Sequence, residues 1–107
     1  PDCVNASAHS SHVYRSGINL YFTFACMPGD TSVMGDRYLE SWDRALTATA
    51  QAGGGIAHHH GSGRLRRQYL HHDLGKGGVE LLRTVKNALD PQGILNPGNL
   101  LPPLSDQ

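Results

Sequence analysis

The spacing of apolar positions changes character along this chain. Between Ile18 and Cys26 apolar, β-branched and aromatic residues are dense, which predicts a strand. Alternation puts Tyr21, Thr23 and Ala25 on one face and Leu20, Phe22, Phe24 and Cys26 on the other. Tyr21 therefore stands on the less apolar side. From about Asp36 to Gln51 the period becomes helical: Leu39, Trp42, Leu46 and Thr49 share a stripe, with Asp36 placed to cap the start. Trp42 reads as a core anchor in that stripe. Alanines at 45, 48, 50 and 52 favour the helix and Gly53 stops it. A second helical stripe, Leu81, Leu82, Val85, Ala88 and Leu89, predicts a helix over Val79 to Leu89, with Glu80, Arg83 and Lys86 outside. Asp90-Pro91 closes it, because proline cannot continue the hydrogen-bond ladder.

The intervening stretches read as turns. Pro1 to Ser11 is small and polar, with alternation too weak to assign an element; His9 and His12 flank a Ser-Ser pair, and Tyr14 follows. Arg15-Ser16-Gly17 and Met27-Pro28-Gly29-Asp30 are turn sequences. Arg64 to His72 is either a short helix or extended, and Gly75 to Gly78 interrupts before the last helix. Gln92 to Asn99 is rich in turn residues and carries two buried-type apolars, Ile94 and Leu95. Pro102-Pro103 and Ser105-Asp106-Gln107 read as a frayed end. A strand, a helix, a glycine loop and a helix in that order predict an α+β fold, antiparallel strands with helices on one side.

Composition narrows the classes. A chain of 107 residues can bury one modest core. Lys plus Arg and Asp plus Glu are nine each, so nothing global points to nucleic acid or a membrane surface. No run approaches the roughly 18 apolar residues that span a bilayer. Cys3 and Cys26 make no disulfide framework and read as buried thiols of a cytosolic-type protein. No signal peptide is visible, and Pro1 stands where an initiator methionine would, as though the beginning had been cut away.

Charge is balanced globally and not locally. Between Asp43 and Asp73 there is no acidic residue, while five histidines and three arginines fall between His58 and His72. Such a cluster draws anions, or is a solvated basic face with no ligand. At its head stands Gly53-Gly54-Gly55-Ile56-Ala57-His58-His59-His60-Gly61-Ser62-Gly63. Glycine lets a ligand approach the main chain, and histidine changes charge nearest neutral pH. The loop suits a polar, anionic small ligand; the bland alternative is a long turn with exposed, idle histidines. A zinc site is disfavoured, because neighbouring side chains diverge and no Cys-x-x-Cys or His-Glu-x-x-His pattern completes a set. Tyr21 either meets a ligand or packs half-buried.

The tail Val85-Lys86-Asn87-Ala88-Leu89-Asp90-Pro91-Gln92-Gly93-Ile94-Leu95-Asn96-Pro97-Gly98 resembles the end of FAD-linked oxidases of the vanillyl-alcohol-oxidase type. The loop from Gly54 to Arg66, with three histidines before Gly61-Ser62-Gly63, is similar to the alkyldihydroxyacetonephosphate synthase branch; the 2-hydroxyacid branch carries Glu-His-Gly there. His12-x-Tyr14-x-x-Gly17 followed by Leu20-Tyr21-Phe22 looks like the same branch. The three blocks cover nearly the whole chain in order. Ser62 stands where apolar residues are common, and Asn96-Pro97-Gly98-Asn99 is nearer the oxidase ending.

The resemblance implies FAD as cofactor and an enzyme that exchanges the acyl group of acyl-dihydroxyacetone phosphate for a fatty alcohol, with no net redox at the flavin. The alternatives are an FAD-linked oxidoreductase or dehydrogenase of a 2-hydroxyacid or other hydroxylated small molecule, and a non-catalytic small binding or structural domain. Tyr21 matches the acid/base tyrosine, and His58, His59 and His60 match the active-site triplet. His12 and Arg64 are expected to bind substrate, and Gly61 and Asn96 to lie on the flavin side. No glycine-rich pyrophosphate-binding half is present. The chain is therefore expected to be a C-terminal fragment, inactive alone: residues 1–74 end the cap (substrate) domain, and residues 75–107 return to the FAD-binding domain. Expected partners are that missing half, a small phosphorylated or carboxylated substrate and, in a homodimer, a second copy. No nucleic acid is expected, and the setting is cytoplasmic, with membrane contact through the lipid substrate.

Overall fold

Two antiparallel strand pairs open the chain and helices dominate the rest, in a computed structural model that describes residues 3–103. The sequence expectations for Pro1 and for Ser105 to Gln107 lie outside the described residues. β1 (Cys3–His9) pairs with β4 (Tyr21–Cys26), and β2 (Val13–Tyr14) with β3 (Gly17–Ile18). The expected strand from Ile18 to Cys26 is thus broken at Asn19 and Leu20. Asn19 supplies the reason. Its side-chain oxygen accepts the N–H groups of Ser11 (3.3 Å) and His12 (2.7 Å), and its own N–H donates to the His12 carbonyl (3.0 Å). That closes the loop around the small β2–β3 ribbon and its turn at Arg15-Ser16.

β1 was illegible in the sequence because its residues are small and polar; it is a strand because β4 gives its backbone groups a partner. The register sets Cys3 opposite Cys26 and His9 opposite Tyr21, with a shift between Cys3 and Asn5. Every residue of β1 is exposed. Hence the cysteines are not the buried thiols expected: Cys3 is exposed and Cys26 half-buried, both free.

α1 spans Met34–Gln51, starting earlier than its apolar stripe indicates. A tight helical turn, Thr31–Val33, leads into it, and Asp30 caps that turn by accepting the Ser32 N–H at 2.8 Å. Asp36, expected as the cap, instead lies in the first turn of α1, where a negative charge favours the helix N-terminus. The C-terminal end follows expectation. Gly53, at φ +74, donates to the Ala50 carbonyl (3.0 Å) and Gly54 to that of Thr49 (2.9 Å), the paired bonds of a Schellman cap.

After the glycine–histidine loop come α2 (Gly63–Arg66), a tight turn Arg67–Tyr69, and α3 (Leu70–Leu89). Arg64 to His72 is therefore helical. The expected four-residue interruption shrinks to Gly75, at φ 66 and ψ 171, a conformation essentially closed to residues with a side chain. The α+β class stands. No helix among the described residues is long and apolar enough to cross a membrane.

The chain divides into two units, Pro1–Ser41 and Trp42–Gln107. The buried apolar residues among those described, Leu46, Ile56, Leu70 and Val79, all belong to the second. Two expectations about burial fail. On α3 the buried side is Val79 with half-buried Leu82, whereas Leu81, Val85 and Leu89 are exposed. Ile94 and Leu95 are exposed as well, because their turn is held by its backbone. Asp90, buried, accepts the N–H groups of Ile94 (3.0 Å) and Leu95 (2.9 Å) and the Lys86 ammonium.

Candidate active site

The histidine loop is built in the second unit from both ends inward. Its entry is the Schellman cap of α1. There Gly54 passes so close to Thr49 that an added Cβ would lie 3.1 Å from the threonine methyl and 3.4 Å from its carbonyl oxygen. Two residues on, Ile56 buries its side chain, 5% exposed. The Ile56 N–H is shared by both oxygens of Asp73, at 3.1 and 3.3 Å, from the first turn of α3. At the exit, Arg66 donates to the Gly61 carbonyl at 2.9 Å. The same guanidinium lies 4.6 Å from the centre of the Trp42 ring, a cation–π contact. Trp42 thus anchors the loop's exit as well as its own helix.

Between these clamps stand three exposed imidazoles. His58 Nδ1 lies 2.6 Å from His59 Nδ1, and His59 Nε2 lies 3.1 Å from His60 Nε2. The rings meet edge-on, with centroids 4.9 and 4.4 Å apart. An N···N hydrogen bond needs one proton between two nitrogens. A neutral His59 has one N–H and one lone pair, so it donates to one neighbour and accepts from the other. The row can therefore take up a proton at one end and release one at the other.

The basic run is less available than its composition suggests. Arg67 donates to the Gly98 carbonyl, and Arg66 is engaged as above. Arg64 is exposed and makes no hydrogen bond or ion pair among the described residues, so its charge is the one of the three directed to solvent. The Arg67 bond also brings the tail to the loop's exit. A Cβ on Gly98 would lie 3.4 Å from Arg67 Nη1, and one on Gly63 would lie 3.8 Å from Asn99 Oδ1. Asn96 sits in that tail turn with φ +46, a backbone region asparagine tolerates better than most residues.

Tyr69 and the second histidine pair are structural by their contacts. The Tyr69 hydroxyl lies 2.6 Å from Asp43 Oδ1 and 2.9 Å from Thr47 Oγ1. The Asp43 carboxylate, accepting the phenolic proton, pushes Tyr69 above the ordinary tyrosine range. His71 bonds the Gln68 carbonyl at 3.0 Å, and His72 stacks beside Tyr69.

The first unit holds Tyr21 and His12. Tyr21, half-buried at the start of β4, stacks on His9 across the strand pair, with ring centroids 5.2 Å apart. His12 has its backbone held by Asn19, its Nδ1 2.8 Å from Ser11 Oγ, and its ring stacked beside Tyr14 at 6.2 Å. Of the residues expected from sequence, His58, His59, His60 and Gly61 come together in one loop with Arg64 just beyond; Asn96 belongs to the same unit, and Tyr21 and His12 to the other. Sequence reasoning missed Asp73, Arg66, Asn19 and His9. For Asp73 a signal existed: it is the first acid after the long acid-free stretch.

Comparison with known proteins gives the family of the chain. The family described as FAD linked oxidases, C-terminal domain, matches residues 3–100. The chain is 38% identical over 94 residues to an alkyldihydroxyacetonephosphate synthase of Trypanosoma brucei brucei, covering 88% of this chain and 15% of that protein. It is 31% identical over 100 residues to an alkyldihydroxyacetonephosphate synthase of Dictyostelium discoideum, covering 94% and 16%. An uncharacterised FAD-linked oxidoreductase of Escherichia coli strain K12 is 32% identical over 107 residues, covering 94% and 21%. The chain thus spans about a fifth or less of the length of these relatives. No solved structure matches it.

Proposed function

Since this chain belongs to the family of FAD-linked oxidase C-terminal domains, we propose that the full-length protein is an FAD-dependent enzyme of the alkyldihydroxyacetonephosphate synthase type. It replaces the acyl group of acyl-dihydroxyacetone phosphate with a fatty alcohol, forming an ether lipid precursor. The observation that carries this reading is the clamped imidazole row His58–His59–His60, within a sequence similar to synthases over most of its length.

The residues present leave one stretch of main chain where a flavin edge fits. At Gly61, with φ +70, an added Cβ would meet nothing within 4 Å, so the main chain beside the histidines is open to a ring. When bound, the flavin supplies the reactive ring chemistry that side chains lack. The chain's own residues handle protons and charge. Tyr21 removes and returns the proton on the substrate carbon, and the histidines carry a proton along their row to the leaving carboxylate. Arg64 pairs with the phosphate. Gly61 and Asn96 lie on the flavin side, and residues 75–107 lead back to the FAD-binding part. The lipid substrate brings a cytoplasmic enzyme to a membrane surface.

The test is anaerobic incubation of the full-length protein with acyl-dihydroxyacetone phosphate and a labelled fatty alcohol. Labelled ether product with the flavin still oxidised is the expected result. A second reading, oxidation of a 2-hydroxyacid, is favoured by the likeness to the Escherichia coli oxidoreductase and by the ending Asn96-Pro97-Gly98-Asn99. Bleaching of the flavin by glycolate or lactate, with no ether formed, would establish that reading in place of the first.

A further inference from the structure

We propose that Asp73 is a positioning residue for the histidine row, acting through the backbone of Ile56. The inference rests on the proposed reading of His58, His59 and His60 as the reacting cluster. Asp73 lies 17 residues beyond Ile56 and on another element, yet both of its oxygens are within hydrogen-bond distance of one amide, at 3.1 and 3.3 Å. An acid in the first turn of a helix ordinarily acts on that helix's own N–H groups. Here the carboxylate reaches outward to a loop. The neighbouring Gly55 lies against it too, since a Cβ there would be in ordinary contact, 3.7 Å from Asp73 Oδ1.

The geometry explains why one bond at Ile56 governs residues further on. The Ile56 side chain is buried, which fixes where the loop sits; the amide bond to Asp73 fixes how the peptide plane is turned. From that plane only Ala57 separates the first imidazole. At the far end the Arg66 bond to the Gly61 carbonyl sets the exit. Between these points the three rings must hold nitrogen separations of 2.6 and 3.1 Å, distances an imidazole row loses if either end rotates. The break at Gly75, two residues after Asp73, separates the short helical segment carrying the aspartate from the rest of α3. A bond to a charged acceptor is stronger than a neutral one, but the role asks only for an acceptor oxygen. Asparagine supplies one at nearly the same place.

The experiment compares Asp73→Ala, Asp73→Asn and His59→Ala in the full-length flavoprotein, reading flavin content, kcat and KM. A displacement of about an ångström at reacting groups costs on the order of a hundredfold in rate. Asp73→Ala is therefore expected to lower kcat about ten- to a hundredfold, with flavin retained and KM within about twofold. Asp73→Asn is expected to recover most of the loss. Asp73→Ala turning over like the parent would overturn the proposal, and so would an Asp73→Asn enzyme as impaired as Asp73→Ala, which would show that charge and not the bond matters. Loss of flavin in Asp73→Ala would overturn it as well, by showing that the aspartate supports the fold at large. If His59→Ala turns over normally, the reading of the histidines as the reacting cluster fails separately. The Asp73 bond is then read by amide hydrogen exchange over residues 54–62: faster exchange in Asp73→Ala than in Asp73→Asn supports its hold on the loop, and equal exchange overturns it.

Discussion

The two units of this chain solve the same problem to different degrees. In Trp42–Gln107, Leu46, Ile56, Leu70 and Val79 make a small core, and polar side chains fasten the loops to it: Asp73 on Ile56, Arg66 on Gly61, Arg67 on Gly98, Asp90 on the tail turn. In Pro1–Ser41 no described residue is buried, and Val4, Val13, Ile18 and Phe22 are each more than half exposed. Two paired strands seldom hold together alone, since a sheet needs a third strand or a covered face. The difference teaches which half of the proposed chemistry is carried on self-supporting structure. The histidines stand on a clamped loop. The tyrosine stands on a strand pair in which Val4 and Phe22 are open and only Phe24 and Cys26 are half-buried beside it.

The largest effect that separates the halves is catalytic. Tyr21→Phe in the full-length protein keeps the ring that stacks on His9 and removes only the hydroxyl. A positioned acid or base contributes about 10²- to 10⁴-fold, so kcat is expected to fall by that order with flavin still bound. Turnover near that of the parent would leave Tyr21 as a packing residue of the sheet and shift the proton transfer to the histidine half.

Stability gives the next contrast. Leu46, 4% exposed, loses a filled site in Leu46→Ala, which costs about 2–5 kcal/mol. Phe22, 60% exposed, leaves no cavity in this chain, and Phe22→Ala is expected to stay within about 0.5 kcal/mol. Urea midpoints of the 107-residue chain measure both. Equal costs would mean that the sheet carries as much of the fold as the helices. Repeating the pair in the full-length protein reads whether further polypeptide covers Phe22.

The same contrast marks what was legible from residues alone. The body of α1, its stop at Gly53 and the loop beyond it are local features, signalled by period and glycine, and they stand as expected, whereas the start of α1 does not. β1 carries no local signal, since its Cys-Val-Asn-Ala-Ser-Ala-His run becomes a strand only against β4. The break at Asn19 was hidden for the same reason: it depends on a side chain reaching back 7 and 8 residues. On α3, period alone marked Leu81, Leu82, Val85 and Leu89 as one apolar face. Burial then chose Val79 and Leu82, because the helix is broken at Gly75 and meets its neighbours on that side. The histidine triplet was visible as a motif, whereas the residues that fasten its loop act on backbone atoms: Arg66 leaves no pattern of its own, and Asp73 only its place as the first acid after the acid-free stretch.

Acid offers the smallest and most selective probe of the comparison, because each unit holds a carboxylate whose pKa is lowered. In the first, Asp30 is lowered by hydrogen bonds to Ser32; in the second, Asp90 is lowered chiefly by the Lys86 ammonium, against the opposing effect of its burial. A depressed folded-state pKa means that the unfolded chain binds the proton more readily. The stabilisation is then fully present above the ordinary aspartate value of 3.8 and is lost as pH falls through the lowered value. Thermal midpoints of the full-length protein, followed downward from about pH 5, should fall in the parent and fall less in Asp90→Asn. Asp30→Asn should track the parent closely, because its carboxylate caps one exposed turn, whereas Asp90 gathers two amides and an ammonium. If Asp30→Asn flattened the acid limb more than Asp90→Asn, the tail turn would not be the better-fastened element, and the ranking of the two units would reverse.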